Sequence, residues 1–313
     1  MGSDAHVVVH GQPELAELAR ELIDALEVRW SRFLPDSEIS RLNRRAGTWT
    51  ELSGPTVELV ARAVEGWEAT EGHFDPTVLG DVVRAGYDRT FEELAGLAEG
   101  RVAPLSTLDR GAGGIVVDRE AGRVYLPAGV GFDPGGLGKG LAADLVAARI
   151  DDEGAAGALI NLGGDLRAVG AAPHGDDWVV DIDPAASGLP VATVTLDQGA
   201  VATSTTLRRR WRTEGQTMHH LIDPATGRPT ERGVVAATVL AARGWQAEVL
   251  AKAALAAGVT EGLRLITDAG ADAIVVDAFG GLHPTPGFQR FGRVAVSAPG
   301  RPSPVAALLE VRP

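Results

Sequence analysis

The chain contains no cysteine, which excludes thiol nucleophiles, thiolate metal sites and structural disulfides. No apolar run approaches the roughly 18–20 residues of a membrane-spanning helix, and the first ten residues (MGSDAHVVVH) lack the basic segment of a secretory leader. Positive charge is scarce: 29 Lys and Arg stand against 42 Asp and Glu, a formal charge of −13. That excess of acid argues against a nucleic-acid binder held by phosphate contacts, although a nucleotide ligand needs only local donors. Lysine is scarcest of all. Lys139 and Lys252 are the two lysines of the chain, and the remaining Lys/Arg positions are arginine. An alanine- and arginine-rich genome explains the arginines but not the two survivors. A retained lysine suits a place that needs a compact, flexible ammonium rather than a planar guanidinium. Both lie in glycine- or alanine-rich segments, so both are candidate site residues.

What is present is ordinary globular protein: 313 residues, 45% hydrophobic and 23% charged. Such a chain is long enough to bury roughly three quarters of its unfolded surface. No linker longer than a loop and no internal repeat divides it, so one compact body of two lobes over residues 1–313 is expected. Residues 7–10 (VVVH) read as a strand. Leu15, Leu18, Leu22, Leu26 and Trp30 mark an amphipathic helix after Pro13, and Pro55 opens a second through Leu59, Ala63 and Trp67. Residues 33–44 mix turn residues with a short helical pattern. Residues 85–130 read as loops, a further amphipathic segment and a short strand pair ending near Tyr125. From Ala158 onward, ALINL, WVVDID, VATVTL, VVAATVLA and AIVVDA are strand-like, while 138–150 and 246–258 are helical. Strands and helices do not alternate strictly, which predicts an α+β fold with mixed or antiparallel sheets and packed helices.

Five segments could carry chemistry. FDPGGLGKG (132–140) places four glycines and Lys139 at the start of a helix whose amides would face an anion. It fits neither GxGxxG nor GxxxxGK[ST], and it reads equally as a glycine-rich strand-to-helix turn. Asp133, before Pro134, is held extended. INLGGDLRAVG (160–170) reads alone as a bulge or tight turn. In HHLIDPATGRP (219–229) a histidine could shuttle a proton with Asp223 orienting a ring, or the segment could be turn architecture alone. In GHFDPTVLG (72–80), Asp75 could cap a helix opened by Pro76. In QAEVLAKAALAAG (246–258), Glu248 and Lys252 lie four apart on one face of an otherwise apolar helix. A charge pair on a buried helix is costly unless it meets partners or a ligand.

Taken in order, these segments resemble the ApbE-type FAD:protein FMN transferases. The resemblance runs from the initial MGSDAH through SEISRLN (37–43), GHFDPT, FDPGGLGKG, INLGGD, VATSTTLRRRW (201–211), HHLIDPATGRP and AEVLAKA, nearly the whole chain. It implies an enzyme that takes FAD, esterifies its FMN phosphate to a threonine or serine hydroxyl of an acceptor flavoprotein, and expels AMP. Two alternatives stand beside it: an FAD pyrophosphatase releasing FMN and AMP, and a flavin-binding relative without catalysis. The resemblance places Met1, Phe33, His73, Phe74, Asp75, Asp133, Lys139 and Ile222 around FAD. It makes His220 the functional histidine, our base for the acceptor hydroxyl; Lys139 and the glycine-loop amides are expected to hold phosphate.

Magnesium is the usual cofactor of that family, and the resemblance maps its site onto Gly136, Glu248 and Ala251. Relatives read Asp-Ala-Leu-Ala-Thr-Ala where this chain reads Glu248-Val-Leu-Ala251-Lys252-Ala. Glutamate keeps an oxygen ligand on a longer arm, whereas lysine puts a cation where a hydroxyl would meet the ion. The Thr-Ser-Gly turn of relatives is also replaced, by Thr203-Ser204-Thr205. The expectation is that Lys252 pairs with Glu248 and acts with it and His220 in catalysis, taking over part of the metal's work. With neither a leader nor a lipobox cysteine, the chain is expected to be cytoplasmic, without a transmembrane segment or nucleic-acid partner.

Overall fold

The computed structural model describes residues 3–95, 109–175, 177–213 and 215–294. Met1 and residues 96–108, part of the stretch 85–130 read as loops and an amphipathic segment, lie outside them.

A seven-stranded sheet runs in the order Ala5–His10, Gly157–Leu162, Asp165–Gly170, Gly199–Thr205, Val234–Ala241, Asp272–Asp277 and Leu282–Pro284. Every neighbouring pair in it is antiparallel. Side chains on a strand alternate between faces, so a sheet covered on both sides must be apolar throughout. Val234–Ala241 meets that demand. Ala237 and Val239 pack with Leu250 and Ala254 of the helix Gly244–Ala257, whereas Ala236 and Leu240 face Val194, Leu196 and Phe288. The second group belongs to a small three-stranded sheet, Trp178–Ile182, Ala192–Leu196 and Gly292–Val294, and the loop beside it. The large sheet is thus the middle layer, with helices on one face and the small sheet on the other.

The helical layer has its own core. Ala19, Ile23, Leu26 and Trp30 of Leu15–Trp30 recur at helical spacing and pack against Leu59, Val60 and Ala63 of Gly54–Ala69 and against Gly138–Asp152. Two features bind the Gly138–Asp152 and Gly244–Ala257 helices. Their backbones touch at a glycine pair: a Cβ on Gly140 would lie 2.3 Å from the Gly244 carbonyl oxygen. In addition, the Asp144 carboxylate accepts the Gly244 and Trp245 amides at 2.8 and 3.0 Å, satisfying the exposed N–H groups of the second helix.

The expected strands are present, the first beginning two residues early at Ala5. The strand Gly199–Thr205 and the hairpin Arg210–Thr213/Gln216–His219 are additions to the sequence reading. Gly163 and Gly164, both at positive φ, turn a hairpin between the strand ending at Leu162 and the one starting at Asp165. One expectation fails. Asp75 does not cap a helix opened by Pro76; its Oδ1 accepts the Thr77 amide and hydroxyl in a local turn, and the helix starts only at Leu79.

Candidate active site

The glycine loop is held from both ends before it holds anything. At residue 132 the Asn43 side chain clamps the backbone, donating to the Phe132 carbonyl at 2.9 Å and accepting its amide at 2.7 Å. Asn43 closes the short helix Glu38–Arg44, which Ser37 caps by accepting the Ser40 amide. Asp133 then accepts the Gly135 amide at 2.8 Å, and its other oxygen lies 3.6 Å from the Arg32 guanidinium. Gly136 admits no side chain: a Cβ there would meet the Phe74 ring at 2.5 Å and the Lys252 ammonium at 3.1 Å.

Beside this loop lies a cavity of about 340 Å³. Trp30, Phe33, Val82, Tyr87, Ile222 and Leu255 supply an apolar, aromatic wall, while Asp133, Lys139, Arg209, His220 and Lys252 bring charge and proton acceptors. A pocket of that make-up suits a planar ring system joined to an anionic group. The Arg32 guanidinium lies over the Phe33 and Tyr87 rings, 4.2 and 4.7 Å from their centres. Arg209 stands at φ 49°, the left-handed region, and donates to the Ser3 hydroxyl at 2.8 Å.

The two lysines converge here and divide the work. Lys139 Nζ sits 2.5 Å from both Asp165 and Glu248. Burial alone would pull its ammonium down, but the two carboxylates outweigh it and hold the group above the ordinary lysine range. Burial pushes Asp165 up to about 6, against the pull of Lys139. The second Glu248 oxygen accepts the Gly140 amide at 2.8 Å. Lys252 does not pair with Glu248 as its spacing on the helix suggests, because Glu248 is turned to Lys139 and the Gly140 amide. Its Nζ instead donates to the Gly135 carbonyl at 2.8 Å. Burial draws the Lys252 ammonium below its ordinary value, with Glu248 and Asp133 opposing.

The adjacent histidines differ. His219 Nε2 lies 3.2 Å from the Thr230 carbonyl, and its Nδ1 accepts the Leu221 amide at 3.3 Å, so both ring nitrogens serve the turn. Burial lowers its pKa to about 4. His220 lines the cavity, and its Nδ1 is buried without a hydrogen-bond partner. Burial, reinforced by Lys252 and Arg209, holds it far below the usual histidine value, so the ring is neutral.

Of the residues the sequence nominated, Phe33, His73, Phe74, Asp75, Asp133, Gly136, Lys139, His220, Ile222 and Lys252 all border the cavity. Glu248 stands behind Lys139, and Ala251 packs into the apolar core against the sheet. Arg32, Tyr87 and Arg209 were not foreseen; the arginine run 208–210 beside a threonine-rich strand was the available signal.

The residues expected to hold magnesium do not form a site for it. Both oxygens of Glu248 are bound to an ammonium and an amide, and Ala251 lies within the helix Gly244–Ala257, whose carbonyls serve the helical ladder. The Lys252 ammonium occupies the space beside Gly136. An ammonium and a divalent ion ~4 Å apart repel by roughly 8 kcal/mol at an effective dielectric near 20. Among the described residues, no cluster of three or more His, Asp or Glu is placed to bind a metal.

Known proteins resemble the chain in sequence and in fold. The sequence model of the ApbE family matches residues 1–275. The FAD:protein FMN transferase of Haemophilus influenzae is 27% identical over 267 residues, 80% of this chain and 75% of that protein. The transferase of the same name from Treponema pallidum is 28% identical over 282 residues, 82% of this chain and 75% of its own length. The crystal structure of the ApbE protein from Thermotoga maritima superposes with a TM-score of 0.79, at 26% identity, over 93% of this chain and 96% of that one.

Proposed function

The chain belongs to the ApbE family, an enzyme family of flavin transfer, and on that premise we propose that it moves FMN from FAD onto an acceptor flavoprotein. The attacked atom is the phosphorus on the FMN side of the pyrophosphate. A threonine or serine hydroxyl oxygen of the acceptor forms the new P–O bond, and the bond to the bridging oxygen breaks. AMP leaves with that oxygen, and the hydroxyl proton passes to His220.

The observation that carries this reading is the neutral, half-buried His220, whose Nδ1 is shielded and unpartnered, in a cavity also bordered by two half-buried lysines and Arg209. A general base must be unprotonated at working pH, and the cations that suppress the imidazolium also suit a pyrophosphate. Phosphoryl transfer asks little else of a protein than positioning and charge neutralisation. Gly135 to Gly138 allow close backbone approach to phosphate, and the aromatic wall at Phe33 and Tyr87 suits a flat ring.

Incubation with FAD, with and without an acceptor domain bearing a threonine site, tests the reading by AMP release and covalent flavin. AMP and protein-bound FMN that appear only with the acceptor support transfer. AMP without acceptor makes the chain a pyrophosphatase, and neither product makes it a flavin-binding relative.

A further inference from the structure

We propose that Lys252 takes the place of a divalent cation, with Lys139 occupying the carboxylates that would hold one, so that this chain binds the FAD pyrophosphate without metal. The inference rests on the FAD reading above and concerns how the same cavity neutralises its ligand. The two lysines of the chain come from different helices, 113 positions apart in sequence (252 − 139 = 113), and border one cavity. Their tasks are complementary. Lys139 pairs with both Glu248 and Asp165, so its charge is spent on the two carboxylates nearest this place. Lys252 fills the space beside Gly136 and is fixed by the Gly135 carbonyl; among the described residues it has no carboxylate within ion-pair distance. A half-buried ammonium bound only to a neutral carbonyl has charge left over, and a phosphate oxygen is the anion that the adjoining glycine loop can present to it.

Cation and metal cannot both hold that position, which makes the two states separable by experiment. The probe is FAD itself, titrated against the full chain by flavin fluorescence, once in excess EDTA and once in millimolar Mg²⁺. The wild type is expected to bind with the same affinity in both, within threefold. Lys252→Thr removes the ammonium and restores a hydroxyl. It is expected to lose at least tenfold affinity in EDTA and to regain little of it with Mg²⁺, because Lys139 and the Gly140 amide still hold Glu248. Lys252→Met, close in volume and without charge or ligand, should lose affinity under both conditions. Thermal melting of each variant without FAD separates a folding defect from lost binding. Isothermal titration of the wild type with MgCl₂ alone should give no heat of a stoichiometric site. Wild-type binding that collapses in EDTA, a stoichiometric Mg²⁺ site in the free chain, or a Lys252→Met variant that binds FAD normally in EDTA would each overturn the proposal. Failure of the wild type to bind FAD under either condition would instead refute the FAD reading itself.

Discussion

Lys139 donates to Glu248, 109 residues away, and the same ammonium touches Asp165, so one nitrogen ties two helices to the central sheet. Its removal by Lys139→Met leaves two carboxylates side by side in the interior. Breaking a buried ion pair this way costs about 3–5 kcal/mol. The deficit should depend on pH. In the wild type burial holds the Asp165 pKa at about 6, above its ordinary 3.8, while Lys139 pulls it down; without the ammonium it rises further, so as pH falls the variant's folded state takes up that proton before the wild type's does and regains stability. The melting-temperature gap between variant and wild type should therefore be widest at pH 8 and narrow by pH 5.5. A gap that does not change with pH would mean the carboxylates are not the cause.

The glycine crossing of the helices leaves no room for even a methyl group. Gly140→Ala would press a Cβ against the Gly244 carbonyl, and both neighbours there are backbone that cannot rotate away. The expected cost is about 1–3 kcal/mol, the range for overpacking. Because the crossing also sets Lys139 against Glu248, FAD affinity should fall with stability, as denaturant melts and flavin titration of one preparation would show.

The histidines should separate cleanly. His220→Ala is expected to lower the rate of AMP release by 10²–10⁴-fold, the usual worth of a general base, while FAD affinity stays within about threefold. His219→Ala should keep most of the activity and lose stability instead. Equal losses of rate at the two positions would make the pair a structural turn.

His219 also gives the protein a pH signature. Its folded pKa of about 4 lies below its ordinary 6.5, so its contribution is complete above pH 6.5 and is lost as pH falls toward 4. The loss reaches about 1.4 kcal/mol per pH unit within that window. Denaturant melts at pH 7 and pH 5 should show His219→Asn losing less stability on acidification than the wild type.

Asn43 makes two bonds to the backbone of Phe132, whose side chain is fully buried. Asn43→Ala orphans a donor and an acceptor next to the glycine loop, at about 1–3 kcal/mol for each group left unsatisfied. Weaker FAD binding than the stability loss explains would identify Asn43 as a positioning residue of the loop.

Periodicity disclosed the first helix through Leu15, Leu18, Leu22, Leu26 and Trp30, although the fold buries Ala19, Ile23, Leu26 and Trp30 and leaves Leu15, Leu18 and Leu22 only partly covered, and Pro55 announced where the next helix begins. The strand Gly199–Thr205 escaped notice because GAVATST is built of small residues, and tertiary cover on both faces rather than propensity makes it a strand. The site was legible as a set of segments, since glycines, an Asp-Pro and two rare lysines stand out in any single sequence. Its wiring was not. Glu248 and Lys252 are neighbours on a helix, and local spacing pairs them. The partner that wins, Lys139, comes from another helix and becomes visible only when the glycine crossing brings the two together. Arg32 and Tyr87 were hidden for the same reason, each being unremarkable until the fold stacks one on the other.

The clamp at Lys139 joins segments that meet only once the central strands have paired, and non-local pairings of that kind form slowly. A nascent or partly unfolded chain therefore has no anion pocket, even where its helices are already formed. A ligand that settles there selects the finished molecule alone and stabilises it by mass action. On the proposed FAD reading, refolding in excess FAD should therefore give more folded protein than refolding without it.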